Sequence, residues 1–209
     1  MAATEILNYA RLVEQAVDKL RRKGCSEDQL SFENDTLLNS GITYIGRIIN
    51  SQSPVDKSCH VFHDNGGKIE YLKVQEKYLN PELVQPGREE LGNGFYFFLS
   101  KKLEIAGNNY RREIVMVATA LSIEVCNAIN DILKRTYNSS LWGSFNQVFV
   151  VGGQYFPFAI TSDDAGSGIE YNIGSGWEPV PYPSYCGRHG LAVAPGMAGA
   201  AFFYVVLER

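Results

Sequence analysis

TEILNYARLVEQAVDKLRRKG, residues 4–24, is the stretch whose reading decides the fold. Ile6, Ala10, Val13, Val17 and Leu20 recur at intervals of four and three, and Leu7 and Ala16 widen the same stripe, the signature of an amphipathic helix. Arg11, Glu14, Gln15 and Asp18 fall on the opposite face. Lys19, Arg21, Arg22 and Lys23 crowd the last turn, where cations complement the helix dipole, and Gly24 follows as a C-cap. A helix with one greasy stripe must bury it, either against its own sheet or partly against other molecules.

Downstream of Gly24 the pattern breaks into short pieces. His60, Val61, Phe62 and His63 precede Asp64-Asn65-Gly66-Gly67 and the run 68–74; Asn-Gly between apolar runs predicts a tight hairpin, because both residues tolerate positive φ. Residues 80–94, with Pro81 and Pro86 among charges, read as a surface loop. The aromatic run 94–100 is apolar on both faces and is expected in the middle of a sheet. Residues 112–137 return to helical spacing through Ile114, Val117, Leu121, Val125, Ile129 and Ile132, with a possible new cap at Ser122. Further strands are expected at 147–151, 155–160, 169–173 and 200–208. The fold class is therefore α+β: an N-terminal amphipathic helix on a mainly antiparallel sheet, with a further helix near 112–137. It divides into a helix, residues 1–24, and a globular head, residues 25–209.

A chain of 209 residues with 45% hydrophobic content can bury one sizeable core. The net charge of -4 gives no basic surplus with which to hold nucleic acid. No stretch is long and apolar enough to cross a bilayer. Cys25, Cys59, Cys126 and Cys186 form an even set without the close spacing of a zinc site, so disulfides are favoured over metal or over four reduced thiols. Three pairings are open; Cys25–Cys59 with Cys126–Cys186 closes the shortest loops, each contributing about 4 kcal/mol in the chain-entropy model.

Chemistry-bearing residues are few. His60 and His63, three apart on a strand, would face opposite sides and make a poor metal pair. Cys186 and His189 imitate a Cys–His site, but Cys186 is wanted for a disulfide. Asp163, Asp164 and Ser167 lack the order of a calcium loop. The nucleotide-binding glycine motifs are missing, and Tyr171 stands where a third glycine would follow Gly166 and Gly168. Trp177, Tyr182 and Tyr185 lie in a Pro-rich stretch and would stack on a sugar or a neighbouring molecule if exposed, or cover the core beside Cys186 if not. Asn34-Asp35-Thr36 and Asn138-Ser139-Ser140 match the N-glycosylation sequon. No catalytic residue, cofactor or metal is expected.

The order of these pieces resembles a known group. The opening helix is followed by Gly24-Cys25-Ser26, Leu30-Ser31-Phe32-Glu33-Asn34, then Ser53-Pro54-Val55-Asp56-Lys57-Ser58-Cys59-His60-Val61-Phe62 and Gly66-Gly67. Later come Val125-Cys126-Asn127-Ala128-Ile129-Asn130 and a closing Phe202-Phe203-Tyr204-Val205-Val206-Leu207. Together they look like the part after the membrane helix of bacterial prepilin-type proteins, related to type IV pilins and type II secretion pseudopilins. The resemblance implies a non-enzymatic subunit of an extracellular or periplasmic filament, membrane-anchored before assembly, whose partners are copies of itself or other pilin-like subunits. It further implies that Ile6, Leu7, Ala10, Val13, Val17 and Leu20 serve both sheet docking and assembly. The segment between Cys126 and Cys186 resembles the variable outer loop of such subunits. The rival reading is a secreted carbohydrate-binding or adhesive module using Trp177, Tyr182 and Tyr185 on a glycan or other surface ligand.

Overall fold

The computed structural model describes residues 2–38, 50–81, 95–100, 113–134, 184–190 and 198–207. The expected strands at 147–151, 155–160 and 169–173, and most of the expected loop 80–94, lie outside them. Helix α1 runs Ala2–Arg22, and Gly24, at φ +100°, closes it in the left-handed conformation that glycine adopts without strain. All six stripe residues are buried, with Ala10, Val13, Val17 and Leu20 fully so. Ala3, Tyr9 and Ala16 share that burial, so α1 and the head have one core.

Among the described residues, four strands form one antiparallel sheet: β1 Phe95–Ser100, β2 Glu113–Leu121, β3 Ser184–Gly190 and β4 Ala198–Leu207, in the order β1-β2-β4-β3. A single-turn helix α2, Asp35–Leu38, and helix α3, Ile123–Ile132, complete the regular elements apart from two short 3-10 turns, Glu27–Gln29 and Glu76–Tyr78. Directly opposed residues share a face, and the register aligns Phe95, Ala118, Phe202 and Cys186 in a row across all four strands. Every member of that row is buried. Helix α1 packs on β4 and α3, and α3 packs on β3 and β4, so the two long helices lie over the sheet together.

Two expectations about the sheet need correction. The aromatic run occupies β1, which among the described residues is an edge strand, with β2 and β4 in the centre. The helix expected over 112–137 is a strand for its first part. Ile114, Met116 and Ala118 are fully buried at a spacing of two, and β1 and β4 pair on either side of them. Helix begins only after Ser122, whose hydroxyl accepts a hydrogen bond from Val125 N at 3.3 Å. Ile129 is then fully buried but Ile132 is 49% exposed, off the packed face.

The hairpin expected at 60–74 does not form either. Gly66 N donates to His63 O and Gly67 N to His60 O, making a compact turn, and the positive φ falls on Lys68 at 63°. The glycines are needed for space: a Cβ on Gly66 would lie 2.0 Å from His60 O, and one on Gly67 2.3 Å from Val61 O. Instead of pairing with 68–74, His60 forms a parallel bridge with Ser31, with Ser31 N donating to Cys59 O and Val61 N to Ser31 O.

Both disulfides are present, Cys25–Cys59 and Cys126–Cys186, the pairing with the shortest loops. The second ties α3 to β3 and is reinforced by Asn130, one helical turn beyond Cys126. Its Nδ2 donates to Cys186 O at 2.7 Å, and its Oδ1 accepts from Cys186 N at 2.9 Å. The amide thereby satisfies both backbone groups of a buried strand residue.

Two measurements test this architecture, both by urea unfolding with disulfides intact. Val13→Asp places a carboxylate at a fully buried site and is expected to cost at least about 3 kcal/mol or abolish folding; a loss below about 1 kcal/mol would contradict the enclosure of α1. Asn130→Ala leaves two buried backbone groups unpaired and is expected to cost about 2 to 4 kcal/mol.

Candidate functional site

The surface that the fold leaves to α1 is the side opposite its stripe. Thr4, Asn8, Arg11, Leu12, Gln15, Asp18, Lys19 and Arg22 are exposed along about 30 Å of helix. Leu12, 43% exposed, is the large apolar residue on this face. Arg21 at the helix end is ion-paired to Glu27. The six stripe residues, expected to serve both docking and assembly, are buried in the chain's own core.

Polar contacts hold that face in a fixed orientation. Tyr204 on β4 donates from its hydroxyl to Glu14 Oε2 at 2.6 Å, a bond from sheet to helix, and burial raises the phenol pKa, with Glu14 adding to the rise. Tyr9 donates to Glu70 O at 3.2 Å and accepts from Leu72 N at 3.0 Å, so its one hydroxyl satisfies two backbone groups of the segment 69–75. Tyr71 repeats the device on β1, donating to Phe95 O and accepting from Phe95 N, both at 3.0 Å. Burial pushes both phenols up, which keeps their hydrogens in place as donors. The Tyr9 and Phe95 rings, 4.7 Å apart, pack beneath these bonds. At the N-terminal end, Glu5 accepts from Gln75 Nε2 and the Tyr78 hydroxyl.

A second cluster lies in the turn 54–68. Asp56 Oδ1 accepts from Ser58 N at 3.0 Å, and bonding to Ser58 lowers the Asp56 pKa. Asn65 Nδ2 donates to Asp56 O, and His63 Nδ1 accepts from Asn65 N. Lys57 reaches Glu33 Oε1 at 3.9 Å. His60 is buried, and its ring centroid is 6.2 Å from that of His63. The turn thus brings the two histidines together where an extended strand would have separated them. Among the described residues, no three His, Cys, Asp or Glu side chains gather as metal ligands.

The remaining sequence-derived sites fall as follows. Cys186 spends its sulfur in the disulfide and cannot be a nucleophile beside His189, which lies on β3 opposite Gly199. Tyr185 is on β3 opposite Phe203, while Trp177 and Tyr182, its partners in the stacking platform, lie outside the described residues, as do Asp163, Asp164, Ser167 and Asn138. Asn34 is buried, and its Nδ2 donates to Phe32 O. Sequence reasoning passed over Tyr9, Tyr71 and Asn130. A polar residue one turn from a half-cystine on an apolar helix was the signal available for Asn130; the tyrosines gave none, since their partners are backbone groups far along the chain.

Among the described residues, no helix is long and apolar enough to cross a membrane. The chain matches no family model, no curated protein and no solved structure.

Proposed function

We propose that this chain is the disulfide-stabilised head of a non-enzymatic, pilin-like filament subunit, working outside the cytoplasm and assembling with copies of itself or with related subunits. The observation that carries the reading is the disposition of α1. It is seated along its length on an antiparallel sheet through one stripe and leaves the other face, centred on Leu12, open to solvent.

A heterologous contact that repeats without closing needs a rigid rod presented in one orientation by every subunit. The stripe, the Tyr204–Glu14 bond and the Tyr9 bonds supply that rigidity. The two disulfides fit a compartment in which thiols are oxidised. The resemblance in residue blocks described above points the same way, and the pilin-like form of the head belongs to this proposal.

Photocrosslinking tests it in the cells that make the protein. With p-benzoylphenylalanine at Asn8, Leu12 or Gln15, irradiation is expected to yield a ladder of crosslinked copies in the extracellular or envelope fraction. Monomer alone at all three positions would sink the reading. Leu12→Asp, at an exposed site, should change stability by no more than about 0.5 kcal/mol while reducing assembly; normal assembly by the folded variant would count equally against the proposal.

A further inference from the structure

Asn65-Gly66 is a reactive pair in any chain that bends freely there. With no side chain on residue 66 to screen it, the Gly66 nitrogen reaches the side-chain carbonyl carbon of Asn65 with little hindrance. A bond forms between Gly66 N and Asn65 Cγ, closing a cyclic succinimide. The Cγ–Nδ2 bond breaks, and the amide nitrogen leaves as ammonia, taking the proton from Gly66 N. Water then opens the ring at one carbonyl or the other. The product is aspartate or, with the chain rerouted through the side chain, isoaspartate.

The fold engages each participant elsewhere. Asn65 is exposed but Gly66 is buried, and Gly66 N, the nucleophile, donates its hydrogen to His63 O at 2.9 Å. Nδ2, the leaving group, donates to Asp56 O at 2.8 Å, while Asn65 N donates to His63 Nδ1 at 3.2 Å. Turning the Gly66 nitrogen towards Cγ means breaking the first bond and rotating a backbone that has no slack. A Cβ on Gly66 would stand 2.0 Å from His60 O, and one on Gly67 2.3 Å from Val61 O. Gly67 N and Lys68 N add bonds to His60 O and His63 O, and the base of the turn is fixed by the Cys25–Cys59 disulfide and the Ser31–His60 bridge.

We infer that Asn65-Gly66 is a self-modification site held shut by the turn 54–68: the amide survives while the turn is closed and is converted, with water as the co-reactant, once the turn opens. Conversion also bars reclosure. Isoaspartate inserts the Asn65 methylene carbon into the main chain ahead of Gly66, where the close approach to His60 O and Val61 O leaves nothing to absorb it. Aspartate keeps the chain length but exchanges the Nδ2 donor for an acceptor oxygen opposite Asp56 O, in a turn that already carries the Asp56 and Asp64 carboxylates. An opening that lasts long enough for ring closure thus leaves a covalent mark on the chain.

Peptide mapping by mass spectrometry on the full oxidised chain, aged at mildly alkaline pH with and without urea, tests the inference. The same dipeptide recurs at Asn93-Gly94, so in urea the two asparagines are expected to convert at similar rates. An Asn65 rate in urea well below that of Asn93 is contrary, since it would place the protection in local sequence. Without urea, conversion at Asn65 is expected to slow at least about tenfold. Gly67→Ala leaves the reacting pair intact but sets a methyl against Val61 O, and should return most of the lost rate while α3 keeps its amide protection. Equal rates at Asn65 in the folded and unfolded chain overturn the inference, as does an unchanged slow rate in folded Gly67→Ala. Chains converted to isoaspartate in urea and then refolded should lack hydrogen-exchange protection at the Gly66 and Gly67 amides; native protection there is likewise contrary. The rate comparison and the refolding measurement decide by themselves should Gly67→Ala fail to fold.

Discussion

Everything in the described molecule hangs on the seating of the α1 stripe. Four of its residues have no accessible surface, which at about 25 cal/mol per Å² of apolar area makes each of the larger ones worth roughly 1.5 to 3 kcal/mol. That burial is possible because β4 and α3 together offer an apolar bed, and the bed exists because the row Phe95, Ala118, Phe202, Cys186 aligns across the sheet. Displace α1 and the phenols of Tyr9 and Tyr204 lose their partners as well. Helix, sheet and the segment 69–75 are thus one cooperative unit.

The polar groups inside this unit follow a common economy. Tyr9, Tyr71 and Asn130 each satisfy two backbone groups with a single side chain. Asn50 does the same from one nitrogen, donating to Asp28 O and Leu30 O. Such side chains avoid the penalty of about 1 to 3 kcal/mol for each unmade buried hydrogen bond.

How far this was legible from residues alone depended on the range over which each feature is decided. The α1 stripe was legible because 21 consecutive residues carry one period and one cap. The Ser122 cap and the closing strand were legible for the same local reason. Residues 113–121 misled because Ile114, Val117 and Leu121 fit a helix while Ile114, Met116 and Ala118 fit a strand, and the partners that arbitrate, β1 and β4, lie elsewhere in the chain. The Asn65-Gly66 signal misled because the glycines there answer to close backbone approach, a tertiary fact, in place of turn conformation. Of the candidate site, the burial of the stripe residues was legible. A periodicity shows that a face is buried; it does not show by what.

The seating of α1 also has a mechanical meaning. A pull applied at Ala2 runs along the helix axis, parallel to the line of buried side chains, so Ile6, Val13 and Leu20 resist it together as interlocked teeth and none can be peeled away in turn. At the far end the chain passes through Gly24 directly into the Cys25–Cys59 bond, a covalent stop that passes tension across to residue 59 before the intervening segment can pay out. Loaded in that direction, the domain behaves as a rod clamped in a groove.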